Sequence, residues 1–204
     1  MSILGNKVLI IARYNDPLNW LDKVPKDIKP IIYNKGLQNI TSNKQLENIG
    51  RESHTYLTFI LDFYNDLPEH CIFFQDDALQ HKGWPPATSV IDELYQLPKF
   101  NYKGFDNRIP VTGLEVKPPH ITNNMPYTPE YLYTHILKQD AEKVKNISYV
   151  MTTCAFFYVH RSNILRHKKE IYQFLYEEHY KHTWMPWTME YSWHLIFDDA
   201  YYPN

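Results

Sequence analysis

Short apolar runs punctuate the chain, and each one stops abruptly at polar residues. Val8-Leu9-Ile10-Ile11-Ala12 gives way to Arg13-Tyr14-Asn15, and Lys29-Pro30-Ile31-Ile32-Tyr33 to Asn34-Lys35-Gly36. Cys71-Ile72-Phe73-Phe74 gives way to Gln75-Asp76-Asp77. Continuous apolar runs of this length predict strands buried on both faces. A polar loop from Leu37 to Gly50 precedes a segment, Arg51 to Tyr64, that sets Tyr56, Ile60, Phe63 and Tyr64 on one helical face. Asn65-Asp66-Leu67-Pro68 ends that helix. The resulting β-β-α-β series predicts an α/β fold with a mixed, mostly parallel sheet flanked by helices. Its site is expected where the strands end, at their carboxyl edge.

The second half is less regular. Ser89-Val90-Ile91-Asp92 has the spacing of a capping box and predicts a helix through Leu97. Pro98 to Pro129 reads as irregular, with prolines at 110, 118, 119, 126 and 129, and a connection of that length is usually functional. Thr128-Pro129-Glu130 starts a helix predicted to run to about Val144. Met151 to Val159 reads as one more strand, Ser162 to Tyr180 as one long helix, and Met189 to Phe197 as a last short one. No internal repeat, low-complexity tract or domain boundary stands out, so residues 1–204 are expected to form one domain.

Four groups of residues invite chemistry. Asp76 and Asp77, adjacent at the end of a buried strand, suit a divalent cation such as Mg²⁺ or Mn²⁺ bridging to a diphosphate. A solvated turn explains them as well. Asn48-Ile49-Gly50-Arg51-Glu52-Ser53-His54 opens the first helix, where Arg51 would favour an anion; a structural Arg51–Glu52 ion pair is the plainer alternative. In the loops after the first two strands, Arg13 would face a phosphate and Tyr14 would stack on a base, or both are ordinary strand-end residues. Glu190 and His194 share a face if Met189–Phe197 is one helix, as a general base and a metal ligand or as a local hydrogen-bonded pair beside a core Trp193.

Composition trims the list of functions. With 23 acidic and 21 basic residues the chain has no basic surplus, against a general nucleic-acid binder. Two cysteines, Cys71 and Cys154, lie in apolar runs and read as buried; no disulfide framework is indicated, and a reducing, cytoplasmic setting is the default expectation. Val8–Ala12 is too short for a signal peptide or a membrane span. Aromatics are abundant (17 Tyr, 10 Phe, 5 Trp), which suits a carbohydrate site but also an AT-rich genome. Six glycines and no GxGxxG or P-loop pattern argue against a glycine-cradled phosphate.

Taken in order, several segments carry a resemblance: Ile11–Asn15 with Trp20-Leu21, Tyr33–Gly36, Gly50-Arg51-Glu52-Ser53-His54-Thr55-Tyr56-Leu57, Phe74-Gln75-Asp76, Phe156–Arg161 and Glu190–Phe197. Over nearly its whole length the chain resembles the DUF3431-type proteins of unknown function. It also resembles the small glycosyltransferase domain that chlorella-type giant DNA viruses encode for capsid glycans. That resemblance implies a single GT-A-like domain, with residues 1–97 as the nucleotide-binding half and 98–204 as the acceptor side. It implies a metal-dependent, inverting transfer from a nucleoside-diphosphate sugar, UDP-linked by expectation, to a glycan or glycoprotein in the host cytoplasm. Mn²⁺ or Mg²⁺ would sit on Asp77, with Asp76 and His194 as further ligands. Arg13, Tyr14, Asn34, Arg51 and Asp76 would hold the nucleotide, and Glu190 would be the base beside Asp77. Gln75 departs from the Asp-X-Asp pattern of such enzymes. A metal-dependent hydrolase of a sugar or phosphate ester, or a non-catalytic sugar-binding module, would use many of the same residues.

Overall fold

A computed structural model describes residues 2–37, 41–80, 90–97, 101–105, 108–115, 124–152 and 155–203. Strand β1 is Lys7–Arg13, β2 is Lys29–Asn34, β3 is Lys44–Gln45, helix α1 is Arg51–Phe63 and β4 is His70–Gln75. Then come β5 (Tyr102–Gly104), β6 (Arg108–Thr112), the short α2 (Pro129–Tyr131), β7 (Ser148–Thr152) and β8 (Phe157–His160). Four helices close the chain: α3 (Arg161–Ile164), α4 (Lys169–Lys181), α5 (Met185–Glu190) and α6 (Trp193–Phe197).

Among the described residues, six strands form one sheet in the order β3-β2-β1-β4-β8-β5, and β6 pairs with β7 in a separate ribbon. β1 runs parallel to β2 and β4, and β2 parallel to β3. β8 runs antiparallel to β4 and β5. The architecture is the expected α/β one.

The apolar runs are continuous because both faces of the sheet are covered, and successive residues feed opposite cores. Val8, Ile10, Cys71, Phe73, Phe157 and Val159 pack on one side against α1, α4 and α6. Leu9, Ile11, Ile72, Phe74, Phe156 and Tyr158 pack on the other against Trp20, Ile28, Val90, Ile91 and Leu94. Among the described residues, no helix is long and apolar enough to cross a membrane.

The first half matches the pattern closely; the second needs correction. Pro98–Pro129 is not wholly irregular, since it contributes β5 to the sheet edge and β6 to the ribbon. Pro110 fits there because a two-stranded ribbon leaves each strand an unpaired side. The expected 89–97 helix is a 3-10 turn over Asp92–Gln96, and Ser89 lies outside the described residues. Thr128 does cap α2, accepting the Tyr131 N–H, but the helix widens into a π turn over Leu132–Ile136 and stops where Lys138 adopts φ 57°. The predicted 151–159 strand divides into β7 and β8 around Ala155, whose φ of 50° breaks the extended run. Cys71 is buried, and Cys154 lies outside the described residues.

The predicted 162–180 helix is also two. Lys168 is extended (ψ 151°) between α3 and α4, and the His167 ring is tied to the Ile196 carbonyl at 3.0 Å. The 189–197 helix breaks at Ser192 (φ −126°, ψ −8°). Glu190 therefore ends α5 while His194 belongs to α6, and the shared helical face expected for the two is not formed.

Candidate functional site

The chain passes from β1 outward to β2 and β3, then returns through α1 to β4 on the other side of β1. The β1/β4 boundary is thus a topological switch point, where strand ends splay and leave a crevice at their carboxyl edge. A cavity of about 380 Å³ lies there, lined by Ala12, Arg13 and Tyr14 after β1, Lys35 after β2, Asn48, Arg51 and Glu52 around the start of α1, and Gln75 and Asp76 at the end of β4.

Asp76 shapes the wall nearest β1. Its Oδ2 accepts the backbone N–H groups of Tyr14 and Asp16, each at 2.8 Å, and its own carbonyl accepts the Trp20 indole N–H at 2.9 Å. Burial raises its carboxyl pKa, and the Tyr14 and Asp16 N–H bonds pull it back down. Gly36 lets the β2 loop close against this one: a Cβ there would lie 1.5 Å from the Tyr14 carbonyl oxygen. Asn34 is a brace rather than a lining residue. It is 1% exposed, accepts Arg13 Nη1–H at 2.7 Å on Oδ1, and donates from Nδ2 to Gln45 Oε1 and the Gly36 carbonyl. Arg13 also donates to the Tyr14 carbonyl at 3.3 Å, so its cationic head is set at the cavity wall by the loop it stabilises.

The opposite wall is a tight turn. Gly50 and Arg51 are left-handed (φ 64° and 47°), and a Cβ on Gly50 would lie 2.4 Å from the His179 ring. Lys35 clasps the turn, its Nζ donating to the carbonyls of Ile49 and Arg51. Ser53 ties it to α4 through its Oγ, which lies 2.8 Å from His179 Nε2 and donates to the Gly50 carbonyl at 2.9 Å. The Arg51 side chain stays largely exposed, with Nε 3.6 Å from Glu52 Oε2 and its guanidinium carbon 5.2 Å from the centroid of Trp187.

Charge of both signs meets here. Burial pushes the Glu52 carboxyl up to about 7, opposed by Arg51 and assisted by the negative field of Glu190. Burial pulls Lys35 down to about 7, opposed by Glu52. The buried Tyr56 hydroxyl donates to the Ala155 carbonyl at 3.0 Å; burial, then Glu52, Asp77 and Asp76, raise its pKa. Glu52 and Asp76 thus line the cavity together with Arg13, Lys35 and Arg51, and the field of Glu190 reaches Glu52.

His194 lies elsewhere. It is 1% exposed, stacked on Tyr149 at 5.3 Å and edge-on to Tyr201 at 5.2 Å. Burial lowers its pKa to about 3. It does not line the cavity, and among the described residues no three His, Cys, Asp or Glu side chains form a metal-ligating group. The Asp76–Asp77–His194 ligand set is therefore not assembled, because the break at Ser192 turns His194 into the core. Of the two adjacent carboxylates, Asp76 lines the cavity, and its Oδ2 is engaged by the Tyr14 and Asp16 N–H groups.

Of the expected nucleotide-binding residues, Arg13, Tyr14, Arg51 and Asp76 line the cavity and Asn34 supports it. Lys35, Asn48, Glu52 and Gln75 also line it, although none stood among the expected binding residues. Their signal was present in the sequence: Lys35 precedes the obligatory Gly36, and Asn48 and Glu52 flank Gly50.

Fold and cavity together define an α/β protein with a charged cavity at its topological switch point. The chain belongs to the family of proteins of unknown function designated DUF3431, which matches residues 9–203. No curated protein and no solved structure matches it.

Proposed function

We propose that the chain is a glycosyltransferase that takes a sugar from a nucleoside-diphosphate donor, UDP-linked by first choice, and passes it to a hydroxyl of a glycan or glycoprotein. The observation that carries this reading is the switch-point cavity lined by Arg13, Lys35 and Arg51 together with the carboxylates of Glu52 and Asp76. Two arginines in a cleft of this size, with Lys35 behind the Arg51 turn, suit a diphosphate. Tyr14, 50% exposed at the mouth, offers a ring for the base. The resemblance to the transferase domain of chlorella-type giant viruses points the same way, and a capsid glycan is the corresponding acceptor.

In this reading Arg13 and Arg51 hold the diphosphate, Lys35 fixes the turn that presents Arg51, and Asp76 holds the β1 loop that presents Tyr14. Asp77 and Asp76 would hold Mn²⁺ or Mg²⁺, which would neutralise charge on the departing diphosphate. The acceptor oxygen forms its bond to the anomeric carbon as the bond from that carbon to the diphosphate oxygen breaks. Glu190, whose field reaches Glu52, takes the acceptor proton.

The test is UDP release from a panel of UDP-sugars with Mn²⁺, with and without glycan acceptors. Release stimulated by an acceptor and abolished in Asp77→Asn supports transfer. Release indifferent to every acceptor favours a hydrolase, and no release from any donor rejects the assignment.

A further inference from the structure

We propose that Trp184 and Trp187 form a saccharide-binding face at the lip of the cavity. That this sugar belongs to the acceptor rests on the transferase reading; the saccharide site itself does not. Trp187 is placed at the lip by Arg51, which lines the cavity while its guanidinium carbon sits 5.2 Å from the Trp187 centroid. Trp184 lies beside it, with ring centroids 4.6 Å apart and planes tilted by 43°. Pro186, in the first turn of α5, fixes the backbone between them.

Both indoles keep part of their surface in solvent, whereas Trp20 and Trp193 are 1% and 2% exposed and serve the core. Glu190 lies three residues beyond Trp187 on the same helix, hence on the same side, and its field reaches Glu52. An aromatic ring beside a carboxylate matches a pyranose: the polarised C–H face packs on the indole surface that the Arg51 guanidinium leaves uncovered while ring hydroxyls donate to the carboxylate. Two rings bordered by Arg51, Glu52 and Glu190 offer far less area than the roughly 800 Å² per partner of a stable protein interface.

The experiment is a printed array of mono- and oligosaccharides probed with the full chain, its Trp187→Ala and Trp184→Ala variants, and Trp187→Phe, each checked for folding by thermal melt. UDP is titrated into the same proteins. The proposal expects retention of at least one saccharide by the wild type, a tenfold or greater loss in Trp187→Ala, a smaller loss in Trp184→Ala and substantial recovery in Trp187→Phe. Retention unchanged in both alanine variants, or no saccharide retained by the wild type, overturns it. If UDP does not bind but tryptophan-dependent retention is seen, the nucleotide reading fails and the saccharide site stands.

Discussion

The Asp76 carboxylate accepts the Tyr14 backbone N–H at 2.8 Å, joining the end of β4 to the loop after β1 across 62 residues of chain. The same oxygen also holds the Asp16 N–H, so one side chain sets the wall on which Tyr14 and Arg13 are presented. An aspartate that the sequence suggested as a ligand for metal or nucleotide braces the wall of the cavity.

Asp76→Ala leaves two N–H groups without their acceptor and should cost about 1–3 kcal/mol in urea unfolding, together with nucleotide affinity. Asp76→Asn, which keeps one oxygen and the side chain's shape, should lose less stability. Equal stability for wild type and Asp76→Ala would remove the bracing role.

Gly36→Ala should be more disruptive than a surface substitution, because the added carbon would lie 1.5 Å from the Tyr14 carbonyl and one loop must move. The expected outcome is an altered Tyr14 environment and loss of ligand binding, with the sheet core retained by far-UV circular dichroism. An alanine variant that binds as the wild type does would show that the two loops are not held together.

Lys35 and Glu52 make the cavity's charge depend on pH near neutrality. Both sit at about 7 in the folded chain, so raising pH from 6 to 8 discharges the lysine and ionises the glutamate. Both changes make the site less positive. Affinity for UDP-glucose, whose diphosphate gains no charge in this range, should therefore fall severalfold between pH 6 and 8 by calorimetry, and Glu52→Gln should flatten the profile. A flat wild-type profile would contradict this.

Three buried histidines predict acid lability. Burial is the leading cause that lowers His54 and His194 to about 3 and His179 to about 4, all below the unfolded value of 6.5. Below pH 6.5 the unfolded chain binds protons that the native chain refuses, so stability should fall as pH drops from 6.5 toward 4. The slope would reach up to about 4 kcal/mol per pH unit if all three contribute fully. Urea unfolding at pH 7, 6 and 5 measures it, and His194→Gln should reduce the slope if it folds.

The sequence exposed the part of this molecule whose structure is local and doubly buried. β1 and β4 follow from runs such as Val8–Ala12, because burial on both faces leaves no polar position to blur the pattern, β2 follows from Ile31–Tyr33, and α1 from the spacing of Tyr56 and Ile60. The second half hid its breaks. Ala155 and Ser192 carry no glycine or proline signal, yet tertiary packing bends the chain at both. The same limit governed the site: strand-end residues such as Arg13 and Asp76 stood out, while His194 was placed by a helix that is in fact two. Asn34 looked like a ligand contact because the pattern could not show that Arg13 turns toward it.

The central claim is that the cavity between Arg13, Lys35 and Arg51 binds a nucleoside diphosphate. Isothermal titration of UDP, GDP and ADP into the wild type and Arg51→Ala, with and without Mn²⁺, tests it most directly. Saturable binding of at least one nucleotide is expected, tighter with Mn²⁺ and weakened about tenfold or more in Arg51→Ala, a loss of about 1.4 kcal/mol or more. No heat from any nucleotide, with or without Mn²⁺, or equal binding by Arg51→Ala, would contradict it.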